Sequence, residues 1–272
     1  MIKRKQIVDT LLTLVLLVGA VFMLFPLLWA VLASLKSTTK VFDFGLPEEW
    51  LFSNYPEALA AGNWLRYFAN SAIMAGGIAV SQTFLGAMAG YSLSKFRYPG
   101  RTLIFLIVIS TLTLSQQVVF IPMFIIVSSL NWIDTYWGLI VPLMVSPFSI
   151  FLMRQYIHGL TDSILEVARI DGASEPRIFF QIVLPLSKPV LAVVFILSFT
   201  VFYNDLLWPL IVVRSEAMQT VALALQQFKS AWYYRPQLVL AVAVVVIMPI
   251  TVLFFLLQKQ FLQGITIRAY KQ

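Results

Sequence analysis

The sequence predicts an all-α, polytopic membrane protein with six transmembrane helices. Three observations carry that reading. The 272 residues are 60% hydrophobic and only 11% charged, against about 25% charged in a soluble domain, and the mean hydropathy is +0.88. Six uncharged stretches each approach the roughly 20 apolar residues that cross a bilayer. The basic residues fall between those stretches, with a bias to one side.

The spans are bounded by charges, in chain order. Asp9 and Lys36 enclose a span at about 11–35. Arg66 and Lys95 enclose one at 68–92, Arg101 and Asp134 one at 102–127, and Asp134 and Arg154 one at 135–153. Lys188 and Arg214 enclose 189–213, interrupted once by Asp205, and Arg235 and Lys259 enclose 237–258. The first stretch follows Lys3, Arg4 and Lys5, as a signal peptide would. Its apolar part exceeds a signal core of about 7–15 residues and no A-x-A site follows, so a retained first helix is expected.

With the N-terminus in the cytoplasm, thirteen of the nineteen Lys and Arg lie in inner segments and six in outer ones. Basic residues favour the cytoplasmic side, so both termini are expected inside. All seven tryptophans (Trp29, Trp50, Trp64, Trp132, Trp137, Trp208 and Trp232) then fall on the outer half. They form either an outer aromatic belt or, in part, a surface that receives a partner. The outer segment Ser37–Leu65 is long enough for such a surface and shows little helical periodicity before Tyr55.

Much chemistry is excluded. Without cysteine there is no disulfide, thiolate or cysteine metal site. No G-x-x-x-x-G-K-[S/T] is present, so the chain is not expected to hydrolyse ATP itself. His158 is the only histidine and reads as an interfacial or packing residue. H-E-x-x-H, G-x-S-x-G and paired intramembrane carboxylates are all absent, so neither enzymatic activity nor a cofactor of its own is expected. The net charge of +7 is explained by topology and not by nucleic acid. The one titratable intramembrane group is Asp205, in FYNDLLWPL. With Asn204 it is expected to face a translocation pathway or a polar helix contact, not lipid. A single carboxylate leaves an ion-coupled carrier open, although no internal repeat supports that class.

Between the fourth and fifth spans lies LEVARIDGASEPRIFFQIVLP, from Leu165 to Pro185. Thr161 can cap a short helix to Ile170, with Asp162 and Glu166 early, where the helix dipole favours acids. Gly172 falls where a helix ends in a left-handed residue. Ser174 can cap a second helix that tolerates Pro176 in its first turn. The segment is expected to form a compact, partly charged knob on the cytoplasmic face; a solvated amphipathic linker is the plain alternative.

Glu166, Val167, Ala168, Arg169, Ile170, Asp171, Gly172 and Ala173 resemble the E-A-A-x-x-D-G-A loop of ABC-importer permeases, with Val167 in place of the first alanine. Phe179, Ile182, Leu184, Pro185 and Pro189 match the continuation F-x-x-I-x-L-P-x-x-x-P. The resemblance spans most of the chain. Asn70–Arg101 is similar to the second span and first inner loop of carbohydrate permeases of the maltose-transporter MalG type. Tyr203–Val213 is similar to their W-N-x-x-L-x-P-L signature, with Tyr203 where tryptophan is commoner. Phe261–Gln272 is similar to their F-x-x-G-L-T-x-G-A-x-K-G tail, with Ile265, Arg268 and Gln272 departing from it.

The resemblance implies the type I ABC-importer permease fold in a bacterial or archaeal cytoplasmic membrane. It implies that loop 161–185 couples to an ATPase, through Glu166, Ala168, Asp171, Gly172, Ala173 and Pro185. The implied partners are a second homologous permease, two ATPase subunits that bind ATP and Mg, and an extracytoplasmic substrate-binding protein. A sugar or oligosaccharide is the expected cargo, and glycerol phosphate or another small polar solute the nearest alternative.

Overall fold

A computed structural model describes residues 2–266, with side-chain environments from 10 to 256 and at 258. The tail positions Arg268 and Gln272 lie outside the described residues, and so do the side chains of Lys3, Arg4, Lys5 and Ile265. The described chain is helical without strands. It divides into two units, residues 1–64 with 225–248, and residues 65–224 with 249–272.

In the first unit, α1 (Ile2–Ser34) carries no charged residue after Asp9 and is apolar all round from there. Its side chains are exposed along most of its length, Phe22 by 81% and Met23 by 78%, as expected of a helix solvated by lipid. Its C-terminal carbonyls need partners, and Asn54 serves the last of them. Asn54 Nδ2 donates to the Ser34 and Lys36 carbonyls at 2.8 and 3.1 Å. Asn54 also begins α2 (Asn54–Ala60), close to where helical periodicity starts in the sequence. Glu57 pairs with Arg235. Trp64 donates to the Ala58 carbonyl at 3.1 Å and packs edge-on against Phe228.

The second unit contains most of α3 (Trp64–Lys95), followed by α4 (Arg101–Thr111) and α5 (Gln116–Ser129). The expected single span 102–127 is in fact this pair, bent by 101°. The run Thr111–Gln117 explains the break. Ser110 and Thr111 hydroxyls bond back to the Ile107 and Val108 carbonyls at 2.8 and 2.7 Å, competing with the helix ladder, and Ser115 restarts the chain from an extended conformation.

The expected span 135–153 is also broken. α6 (Tyr136–Ile140) passes through a 3-10 turn to α7 (Pro147–His158), bent by 46°. Pro142 and Pro147 lack the amide that would carry the ladder through. The Leu143 carbonyl freed there accepts from Gln82 Nε2 at 2.7 Å, and Ser198 donates to Gln82 Oε1 at 2.8 Å. A buried glutamine thus satisfies broken backbone where water is absent. Next come α8 (Asp162–Ile170), α9 (Glu175–Ile178), a π turn (Phe179–Val183), α10 (Leu184–Leu186), α11 (Lys188–Tyr203) and α12 (Leu207–Val212). The expected span 189–213 therefore stops at Tyr203 and resumes as a short helix after Asn204–Leu206. α13 (Val221–Ala231) and α14 (Pro236–Thr266) complete the chain.

Among the described residues, three helices can cross a membrane alone by length and apolar composition (α1 over Thr10–Ser34, α3, and α14 over Pro236–Leu256). Three bent pairs qualify together: α4 with α5, α6 with α7, and Glu175–Leu186 with α11, which gives up to six crossings. Two of the tryptophans expected on an outer belt or partner surface are core residues instead, with Trp64 4% and Trp208 0% exposed. Trp208 donates to the Gly138 carbonyl at 3.2 Å; Trp50 and Trp137 are exposed.

Candidate functional site

The charged loop is built around one left-handed residue. Gly172 has φ +79°. Its amide donates to the Arg169 carbonyl at 3.1 Å, and the Ala173 amide donates to the Ala168 carbonyl at 2.9 Å. These two bonds are the crossed pair that closes a Schellman turn. Ala168 and Ala173 thus stand at the two ends of one hydrogen bond, and both are half-buried against the apolar cluster beneath. Small residues suit both places because the helix end and the returning chain meet there. Thr161 and Ser174 do precede α8 and α9, but neither side chain makes the expected capping bond.

One face of the loop is rooted. Leu165, Ile178, Phe179 and Val183 are buried with Ala87 and Tyr91 of α3, Met153 and Ile157 of α7, and Val190 and Val194 of α11. The opposite face is open. Ile164, Val167 and Ile170 are exposed by 47, 57 and 84%, and at i, i+3 and i+6 they form one stripe along α8. Glu166, Asp171 and Gly172 are exposed beside them. Pro185 stands apart from this turn, beyond the π segment in α10. It has no amide to donate to the Gln181 carbonyl.

Two polar contacts that no local signal revealed join the loop to the C-terminal end of α3. Lys95 Nζ donates to the Leu160 carbonyl at 2.6 Å and to Asp162 Oδ1 at 2.5 Å. The Lys95 side chain is only 4% exposed while that of Asp162 is 72% exposed. The hydrogen bond from Lys95 holds the Asp162 carboxyl below its ordinary range. Glu175 accepts from Arg169 Nε at 2.7 Å and from the Tyr91 hydroxyl at 2.7 Å. Tyr91 and Lys95 lie inside the Asn70–Arg101 stretch noted above, which assigned them no role.

Asn204 and Asp205 sit where α11 ends. Asn204 is exposed and bonds back to the Thr200 carbonyl at 2.8 Å. Asp205 is half-buried, and its Oδ1 accepts from the Leu207 amide at 3.1 Å, capping the start of α12. The two do not meet the residues of the 161–185 loop. No group of three or more metal-ligating side chains occurs among the described residues.

Residues 82–267 match the family described as the binding-protein-dependent transport system inner membrane component. The chain belongs to this family. It is a transport permease component and not an ion-coupled carrier working alone. The permease is 34% identical over 96% of its length, and 95% of the relative, to an arabinooligosaccharides transport system permease protein, AraQ, of Bacillus subtilis. It is 32% identical to the sn-glycerol-3-phosphate transport system permease protein UgpE of Yersinia enterocolitica, covering 97% of this chain and 98% of that one. A crystal structure of a bacterial ABC transporter involved in import of the acidic polysaccharide alginate matches with a TM-score of 0.79 at 26% identity, over 94% of this chain and 97% of that one. The type I importer fold expected from the loop motif is therefore the fold of this permease.

Proposed function

We propose that the permease forms half of the translocation pathway of an ATP-driven importer for a sugar or oligosaccharide, and that loop 161–185 docks on a partner ATPase. The observation that carries this is the exposed stripe of Ile164, Val167 and Ile170, flanked by Glu166 and Asp171, on a turn rooted in the apolar cluster. An apolar ridge edged with acids suits an apolar groove with basic rims, and a rooted ridge transmits force. The resulting assembly has a second permease, two ATPase subunits holding ATP and Mg, and an extracytoplasmic binding protein.

Sugar cargo rests on the likeness to the AraQ and alginate systems. Glycerol phosphate is the second reading, because UgpE is nearly as similar. Co-purification through a tag on this chain should retain ATPase subunits. Uptake by cells expressing the complete system should then be measured with radiolabelled arabino-oligosaccharide and radiolabelled sn-glycerol 3-phosphate. Uptake of the oligosaccharide alone supports the first reading, uptake of the phosphate alone the second, and absence of any co-purified ATPase defeats both.

Both termini lie in the cytoplasm in this reading, with the 161–185 loop on the same side. Single cysteines at Ser53, Ser128 and Ser230 should react with an impermeant thiol reagent in intact cells, while cysteines at Ser94 and Ser174 stay unlabelled. Labelling at Ser174→Cys would reverse the topology.

Asp205 acts through the cap it places on α12, beside the pathway. Asp205→Asn keeps an acceptor for the Leu207 amide and should remain close to wild type in stability. Asp205→Leu removes it, at about 1 kcal/mol, and should lower both the melting temperature of the purified permease and its uptake. Unchanged melting and uptake in Asp205→Leu would eliminate the role.

A further inference from the structure

We propose that Tyr91 and Lys95 are positioning residues that clamp the coupling loop to α3, so that the loop and this helix move as one body when the partner ATPases close. The proposal rests on the docking role given to the loop above.

The two clamps grip different ends of the loop. Lys95 holds its beginning, through the Leu160 carbonyl and the Asp162 carboxylate that opens α8. Tyr91, one helical turn earlier on the same face of α3, holds its middle through Glu175, the first residue of α9. Arg169, in the last turn of α8, binds the other oxygen of Glu175 at 2.7 Å. That carboxylate therefore joins α3, α8 and α9 at one point, on either side of the Gly172 turn. Apolar contact alone would let a short helix slide or rock. Directed bonds at two points separated along α3 also resist rotation about either one.

The chemistry suits a clamp more than ordinary surface decoration. Exposed ion pairs contribute little because solvent screens them and long side chains lose freedom. Here the lysine is 4% exposed and the tyrosine 5%, so both donors are held by packing before they bond. Tyr91 is fixed further by ring contacts with Phe96 and Phe179, at 5.2 and 5.7 Å between centroids. Phe179 belongs to the π turn that leads out of the loop towards α11, which ties the clamp to the next membrane element as well.

Placement on α3 gives the clamp its consequence. α3 runs without a break for 32 residues, whereas the expected third, fourth and fifth spans are broken. A push on the loop is thus delivered to an unbroken helix that crosses to the outer side, where Asn70 and Tyr67 bond the 216–219 segment.

The test measures whether loop and helix move together. The chain has no cysteine, so nitroxide labels can be placed at Val80→Cys on α3 and Ser163→Cys on α8, both exposed. The complete transporter, purified through a tag on this chain and held in lipid nanodiscs, is measured by double electron–electron resonance without nucleotide and with ATP plus vanadate. One narrow distance, the same in both states, is expected. Adding Tyr91→Phe with Lys95→Met should broaden it and shift it between the states by about 1–2 Å or more, the size of a packed-helix displacement. Lys95→Arg, with Tyr91 kept, should preserve the narrow distance. Should the double variant fail to accumulate, Tyr91→Phe alone, which removes a single oxygen, carries the measurement. A nucleotide-dependent shift of about 2 Å or more in the labelled but otherwise unaltered chain, or a narrow and unchanged distance in the unclamped variant, would overturn the proposal. Failure of the docking role reads out separately, as ATPase subunits still co-purifying in full with a Gly172→Val chain whose label distance is unchanged.

Discussion

Gly172→Val is expected to leave the permease in the membrane and abolish uptake. The turn needs a left-handed residue, φ being +79°, and a branched side chain opposes that conformation by about 1–2 kcal/mol. Among the described residues, no atom beyond Gly172 and its two chain neighbours lies within 4 Å of the position a Cβ would take, so no internal clash adds to this cost. Insertion and packing of the spans should therefore survive. The exposed turn should not. Strain there loosens the crossed bonds from Gly172 to Arg169 and from Ala173 to Ala168, and the valine methyls project from the exposed surface proposed above to dock on an ATPase. Asparagine, which tolerates the left-handed region better than other non-glycine residues, should retain much of the uptake. The measurement is uptake at matched membrane levels, with the amount of co-purified ATPase recorded beside it. Near-normal uptake by Gly172→Val would withdraw the docking role.

Gly138→Val should do the reverse and prevent the permease from accumulating in folded form. A Cβ at Gly138 would lie 2.2 Å from the Trp132 carbonyl oxygen and 3.1 Å from Val127 Cγ1. The first of these is backbone, and that backbone is held. The Trp132 amide bonds the Val127 carbonyl at 3.0 Å. Asn131 and Asp134 already have φ of 56° and 60°. Asp134 donates its amide to the Val212 carbonyl at 3.0 Å, and its carboxylate accepts from the Arg214 and Ser215 amides at 2.9 and 3.0 Å. Relief of the clash means breaking part of this knot, along with the bond from buried Trp208 to the Gly138 carbonyl. Overpacking typically costs about 1–3 kcal/mol and occasionally more, and a 2.2 Å approach to held backbone belongs at the upper end. The apparent melting temperature in detergent should fall by on the order of 10 °C, or the protein should not accumulate. Gly76, where a Cβ meets nothing within 4 Å, supplies the control: Gly76→Ala should melt with the parent. A Gly138→Val permease that melts like wild type would refute this account of the packing.

Gly172 and Gly138 mark the boundary of what local sequence discloses. The Gly172 turn was legible because its causes lie within a dozen residues: acids early in α8, a glycine at the helix end, and a serine and proline where the next helix starts. The alanines at 168 and 173 were legible as a motif, although their partnership in one hydrogen bond was not. Nothing near Gly138 announces that it faces Trp132 and Trp208. The breaks at Leu112–Ser115, Met144–Ser146 and Asn204–Leu206 were also hidden. Their signals (Thr, Ser and Gln in one case, two prolines in the next, Asn and Asp in the last) are tolerated in a continuous membrane helix when neighbours satisfy the freed backbone. Gln82 and Ser198, 116 residues apart, do that for Leu143.

By itself the sequence determined the all-helical membrane class, the approximate apolar stretches, the lack of a nucleotide-binding loop, and the position and handedness of the Gly172 turn. Each depends on composition or on residues adjacent in the chain, where solvent preference and backbone sterics act directly. The tertiary structure alone decided that the loop is clamped by Tyr91 and Lys95, that Trp64 and Trp208 are core residues, and that three spans bend. Those outcomes depend on which helices meet. Tyr91 and Glu175 stand 84 positions apart and carry no local signal of that meeting; the packing of the intervening helices creates it.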